Sequence, residues 1–128
     1  MSKQHPVVAV TGSSGSGTTT VKTAFEHIFR RLDVTAAIIE GDSFHRFDRA
    51  AMRQEIARAA GNGENVSHFG PEANLLCDLA TLFKTYGESG SGKRRFYVHN
   101  EEEAQEHGVP SGQFTAWQDL SPDTDMLL

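Results

Sequence analysis

The 128 residues suffice for one compact domain, and 38% hydrophobic with 23% charged residues is the balance of an ordinary globular chain. A formal net charge of -5 argues against a general nucleic-acid binder, which carries a clustered basic face. The single cysteine, Cys77, excludes an internal disulfide, no apolar run approaches the roughly 18 residues of a membrane span, and the opening MSKQHPVV lacks a long apolar leader, so the cytoplasm is the expected compartment.

Val7 to Thr11 reads as a strand buried on both faces, as in a parallel sheet, because its apolar residues are continuous rather than alternating. Gly12-Ser13-Ser14-Gly15-Ser16-Gly17-Thr18-Thr19 follows, and then Val21, Ala24, Phe25, Ile28, Phe29 and Leu32 recur at helical spacing. Lys22, Glu26, Arg30 and Arg31 fall elsewhere on that wheel and read as a solvated surface. A second apolar run, Thr35 to Ile39, leads into Glu40-Gly41-Asp42, so the order is strand, helix, parallel strand.

Asp48 is a candidate N-cap for a helix with Met52, Ile56 and Ala59 inward, ended by Gly61-Asn62-Gly63. Pro71 suits the first turn of another helix, with Leu75, Leu76, Leu79, Leu82, Phe83 and Tyr86 as its apolar stripe and Cys77 as a small core residue. Gly87 to Gly92 reads as a flexible connection, Phe96-Tyr97-Val98 as a strand centre, Glu101-Glu102-Glu103 as a solvated turn or helix start, and Phe114 to Trp117 as a short strand. The chain stops at Asp125-Met126-Leu127-Leu128, where an apolar run has just opened, which reads as an interrupted strand.

Two stretches carry chemistry. Gly12 to Thr19 has the form of a phosphate-binding loop, whose glycines let backbone N–H groups turn inward around an anion at a helix N-terminus. The usual lysine position holds Thr18, and Thr19 fills the hydroxyl position, suited to magnesium. The second stretch, Glu40 to Arg49, follows a strand at its carboxyl end, where open parallel sheets bind ligands. Asp42 offers a carboxylate to accept a proton from a substrate hydroxyl, and His45 and Arg49, four apart, offer two donors to an anionic group. For Tyr97 a core role, and for His68 and His99 plain surface roles, stay open. The six histidines have no metal-site spacing.

VTGSSGSGTTTVK, IEGDSFHRFDR, SHFGPEAN, YGESGSGK and YVHNEEEA together resemble the bacterial type of phosphoribulokinase, within the uridine kinase-like superfamily, from about Pro6 to the last residue. The resemblance implies an α/β fold, a P-loop NTPase-type parallel sheet flanked by helices, with residues 1–128 as the N-terminal part of a single P-loop kinase domain that stops before the Walker B-like strand ends. Threonine in place of the loop lysine is a mark of that bacterial family. The implied reaction is MgATP-dependent phosphorylation of D-ribulose 5-phosphate to ribulose 1,5-bisphosphate in the Calvin cycle. ATP would lie on Gly12, Ser13, Ser14, Gly15, Ser16, Gly17, Thr18, Thr19 and Thr20, with Mg2+ at Thr19 and Asp42. Asp42 would be the base, His45, Arg49, Tyr97 and His99 would hold ribulose 5-phosphate, and Arg31 would serve allosteric control by NADH. A homo-oligomer, with neither nucleic-acid nor membrane partners, is implied for the full-length form. The family continues past the point where this chain stops, supplying cations the glycine loop lacks, so the 128 residues are expected to turn over little on their own. A uridine kinase-like nucleoside kinase and a non-catalytic nucleotide-binding remnant are the alternatives.

Overall fold

A computed structural model describes residues 2–13 and 15–128. In chain order the elements are α1 (Thr18–Arg31), β1 (Ala36–Ala37), a 3-10 turn (Gly41–Phe44), α2 (Arg49–Gly61), α3 (Leu76–Ser89), β2 (Lys93–Arg94), α4 (Glu101–His107), β3 (Gln118–Asp119) and β4 (Met126–Leu127). They fall into two compact units. One comprises the chain up to Ile39 with Leu82–Lys93 and Asp119–Leu128, and the other comprises Glu40–Thr81 and Arg94–Gln118.

The first unit holds the parallel sheet. β4 pairs in parallel with β1, Ala36 opposite Met126 and Ala37 opposite Leu127. On its other side Leu127 forms a parallel bridge with Val7, with Val8 N–H donating to Leu127 O at 3.0 Å and Leu127 N–H to Pro6 O at 3.0 Å. The last apolar residues therefore occupy the middle of the sheet, and Leu127 is fully buried. The predicted two-faced burial of Val7 to Thr11 is not what forms: pairing is a single bridge, and Val8 and Val10 stay exposed because this segment is hydrogen-bonded along one edge only among the described residues.

The predicted helix after the glycine loop is α1. Its C-terminal half packs through Phe29, whose ring lies 5.6 Å from that of Phe25, while Val21, Ile28 and Leu32 of the predicted stripe remain exposed. Helix α3 contributes Leu82 and Tyr86 to the core of this unit. The Tyr86 hydroxyl donates to Thr124 O at 3.0 Å, and the ring meets His5 edge-on. Gly87 to Ser89, expected to be a flexible connection, continue α3, and the left-handed Gly90 ends it with an N–H to Tyr86 O bond of 2.7 Å.

In the second unit α2 begins as expected: the Asp48 carboxylate accepts from the Ala51 N–H at 2.8 Å. Met52 and Ala59 are buried, whereas Ile56 is exposed. Pro71 does not open a helix. The chain from Ala73 to Leu75 instead pairs with Phe44 to Arg46, through Arg46 N–H to Ala73 O at 2.8 Å and Leu75 N–H to Phe44 O at 2.7 Å. The Asn74 amide locks this turn by donating to His68 O and Gly70 O, both at 2.8 Å, so α3 starts only at Leu76. Cys77 and Leu76, expected inward, are exposed for the same reason: the helix begins after the turn has set its face.

Residues 96–98 and 112–115 run antiparallel, with a bridge between Tyr97 and Phe114, and the ladder strand β3 lies just after the predicted Phe114 to Trp117 run. α4 sits in the connection between them. Its N-cap is Asn100, whose side chain accepts from the Glu103 N–H at 2.9 Å, and Gly108 closes it in the left-handed region.

Candidate active site

The glycine loop has the backbone an anion cradle needs. Gly15 and Gly17 have φ of 78° and 91°, a region side-chain-bearing residues rarely enter. The Ser16 N–H closes a turn onto Ser13 O at 3.0 Å, and a Cβ on Gly12 would collide with the Ser16 hydroxyl. Gly17 is the N-cap of the 14-residue α1 and supplies no side-chain oxygen to the first N–H groups, and the first turn has no acidic residue. Those donors and the positive end of the helix are thus available to a phosphate. Thr19 and Thr20 are exposed, and Thr18, in the lysine position, is half-buried. Ser14 lies outside the described residues. Arg31 is exposed in the last turn of α1.

The other cluster forms in the second unit. The 3-10 turn after Glu40 buries Ser43 and Phe44 and leaves Asp42 outward, its side chain about half exposed at 54%. Asp42 Oδ1 lies 3.2 Å from His45 Nε2, and Oδ2 lies 3.0 Å from His99 Nε2. Behind His99, its Nδ1 meets Glu103 Oε2 at 2.9 Å, and its backbone N–H donates to the same oxygen at 2.8 Å. The Tyr97 ring packs edge-on to the imidazole, 4.9 Å between centroids. Partial burial by itself disfavours the imidazolium, but hydrogen bonds with Asp42 and Glu103 outweigh it and raise the His99 pKa above 6.5. The His99 backbone N–H leads the causes that hold the Glu103 carboxyl below its ordinary range.

Arg49 does not stand free as an anion ligand. Its NH2 donates to His99 O at 2.9 Å and its NH1 to Ser111 Oγ at 3.2 Å, while its backbone N–H donates to Gly112 O at 2.9 Å. Gly112 has φ of 84°, and a Cβ there would lie 3.0 Å from Arg49 Cβ, so this approach demands glycine. Arg49 also lines a cleft of about 350 Å³. Asp42, His45, Asp48, Arg49, Arg53, His68 and Tyr97 give the cleft polar walls, and Phe47, Met52, Ile56 and Ala73 line the rest. Such a mixture suits a small anionic ligand with an apolar face.

Arg95 holds this cluster from beneath. Its Nε donates to Ser43 O at 2.7 Å and its NH2 to His45 O at 2.6 Å, and the guanidinium lies 3.6 Å from the Phe114 centroid and 4.5 Å from that of Trp117. Sequence reasoning missed Arg95, Ser111 and Glu103. The first two bond backbone carbonyls or serve a distant arginine, and no spacing announces that. Glu103 did leave a trace, since it falls four residues after His99 on a helix start.

No group of three or more His, Cys, Asp or Glu side chains with metal-holding geometry occurs among the described residues. The expected magnesium positions, Thr19 and Asp42, belong to different units. No helix among the described residues is long and apolar enough to cross a membrane.

The family model described as Phosphoribulokinase / Uridine kinase family matches residues 7–128. The chain belongs to this family. Among its family relatives, the phosphoribulokinase of Nitrobacter vulgaris is 52% identical over 128 residues, which cover 99% of this chain and 44% of that protein. The plasmid phosphoribulokinase of Cupriavidus necator is 54% identical over the same span, again 44% of its length. A solved structure of phosphoribulokinase from Rhodobacter spheroides superposes with a TM-score of 0.84 at 47% identity, covering 98% of this chain and 42% of that one. The chain thus matches the fold of a family kinase while spanning less than half the length of the curated relatives it matches.

Proposed function

We propose that this chain is the N-terminal part, residues 1–128, of a single P-loop kinase domain that phosphorylates D-ribulose 5-phosphate to ribulose 1,5-bisphosphate in the Calvin cycle. The observation that carries this reading is the Asp42 carboxylate, half exposed beside the cleft and held by an imidazole on each oxygen. Relatives about 50% identical that bear the name phosphoribulokinase support the substrate.

In this reading Gly12 to Thr20 would hold the phosphates of ATP through backbone N–H groups, and the Thr19 hydroxyl and the Asp42 carboxylate are each a candidate magnesium ligand. Bound MgATP supplies the transferable phosphoryl group and neutralises its charge. Asp42 takes the proton from the sugar hydroxyl at a carboxylate oxygen, while His45 and His99 keep that carboxylate oriented. His45, Tyr97 and the unused N–H groups of Arg49 hold ribulose 5-phosphate. Arg31, exposed on α1, is the position for an NADH effect in an oligomeric, cytoplasmic full-length form.

A second reading has one observation in its favour. The chain spans 44% of the Nitrobacter vulgaris relative, and in this reading it is a nucleotide-binding remnant without turnover. Spectrophotometric ADP release with ribulose 5-phosphate, compared between this chain and one extended beyond Leu128, separates the two. Activity in the extended form alone supports the remnant reading of the 128 residues. Preference of the extended form for uridine over ribulose 5-phosphate would sink the phosphoribulokinase reading.

A further inference from the structure

Glu103 makes two bonds with one oxygen, and only one of them is explained by helix capping. Asn100 caps α4 by accepting from the Glu103 N–H, and a Glu three residues into a helix commonly reaches back to the chain at the cap. Here that oxygen takes the backbone N–H of His99 at 2.8 Å and also the ring Nδ1 at 2.9 Å. The neighbouring Glu101 and Glu102 are exposed, whereas Glu103 is half-buried. On the far side of the ring, Nε2 lies 3.0 Å from Asp42 Oδ2, and Tyr97 packs edge-on at 82°, which sets the ring plane. Which nitrogen of an imidazole carries the proton is set by the partner of the other.

We propose that Glu103 is a positioning residue, whose carboxylate accepts the Nδ1–H of His99 and so holds the ring with its Nε2–H directed at Asp42. The inference deepens the kinase reading, since the oriented carboxylate is the base of that reaction. A histidine between two carboxylates donates from both ring nitrogens and keeps one orientation, and removing such a buttress costs roughly 10- to 100-fold where the histidine does chemistry or ligation. Glutamine at 103 retains a capping acceptor and nearly the same shape but loses the charge, so it separates the two roles.

The test is a long-range nitrogen–proton spectrum of the histidine-labelled full chain at neutral pH, with His99→Asn used to assign the ring. In the unsubstituted protein the His99 Nδ1 is expected in the proton-bearing range with a slowly exchanging ring proton. Glu103→Gln should move that nitrogen toward the unprotonated range while the α4 amide signals persist. A His99 spectrum unchanged by Glu103→Gln would overturn the proposal. If the variant does not fold, the unsubstituted chain decides alone, because an unprotonated Nδ1 there refutes the arrangement. A parallel titration with ribulose 5-phosphate should give a dissociation constant roughly 10-fold higher for Glu103→Gln. A Glu103-dependent ring signal in a chain that ignores ribulose 5-phosphate would uphold the positioning role and count against the substrate assignment alone.

Discussion

His99 Nε2 and Asp42 Oδ2 are 3.0 Å apart although the residues are separated by 57 positions in the chain. The contact exists because the 3-10 turn throws Asp42 outward and α4 begins two residues after His99, so that Glu103 can hold the ring from behind. If Asp42 is the base, its oxygen must be both oriented and replaceable by a substrate hydroxyl, and a half-exposed carboxylate meets both needs.

Replacing that carboxylate tests the role directly. In a form extended beyond Leu128, Asp42→Asn should lower turnover by about 10²- to 10⁴-fold with ATP binding nearly unchanged, as read by coupled ADP release and nucleotide titration. Near-normal turnover would remove Asp42 from the role.

The carbonyls of Ser43 and His45 depend on Arg95. Arg95→Ala strands both and uncovers the Phe114 and Trp117 faces, so it should lower unfolding stability by about 2–3 kcal/mol in urea titrations. Arg95→Lys should recover only part of this, since an ammonium cannot fork to two carbonyls while lying flat on a ring. A loss below about 0.5 kcal/mol for the alanine variant would contradict the clamp.

Helix α2 delivers Arg49 from its first position, so the cap beneath it matters to the cleft. Asp48→Ala should cost about 1 kcal/mol of stability, and Asp48→Asn much less, because an amide oxygen still accepts from the Ala51 N–H. Equal losses in the two variants would point to the charge rather than the cap.

In the glycine loop, Gly17→Ala should destabilise by roughly 1–2 kcal/mol, the strain of a side chain in the left-handed region. Gly12→Ala should instead act on binding, because its methyl group displaces the Ser16 hydroxyl inside the loop. Isothermal titration with ATP separates the outcomes, and unchanged affinity in Gly12→Ala would speak against the cradle.

The histidine and the glutamate make opposite contributions to pH stability. The raised His99 pKa gives stability that is fully present below the ordinary 6.5 and is lost as pH rises through the folded value. The lowered Glu103 pKa gives stability present above the ordinary 4.5 and lost as pH falls through the folded value. Urea midpoints should therefore fall from about pH 6 toward pH 8 more steeply in the unsubstituted chain than in His99→Asn. Parallel slopes would remove the His99 contribution.

Local chemistry was what the sequence displayed well. The Asp48 cap, the left-handed Gly15 and Gly17 of the glycine loop and the helix after it each rest on interactions spanning a few residues, and all three are present. Pro71 misled because its helical signal lost to a long-range pairing of Ala73 to Leu75 with Phe44 to Arg46. Cys77 misled with it, since a helix starting at Leu76 turns that residue outward. Val8 and Val10 carry a buried-strand pattern with no neighbour on one edge among the described residues. At the cleft, the position of Asp42 and His45 after a strand's carboxyl end was legible, but the contacts of Arg49 with His99 and Ser111 were not. They depend on how the 96–115 segment folds back, which no short motif encodes.

Leu127 lies between Val7 and Ala37, so among the described residues two early strand segments are joined in the sheet through a late one. The Thr35 N–H reaches Asp125 Oδ2 across 90 positions, and every hydrogen bond of this sheet closes a loop of comparable or greater span. Loop-closure entropy and contact order make such pairings slow to form. During synthesis, Val7 and Ala37 wait unpaired until residue 127 has left the ribosome, by which time the whole of Glu40–Gln118, with Asp42, His45 and His99, has already been made. The segments that carry Asp42, His45 and His99 are thus complete before the sheet beside the glycine loop can pair.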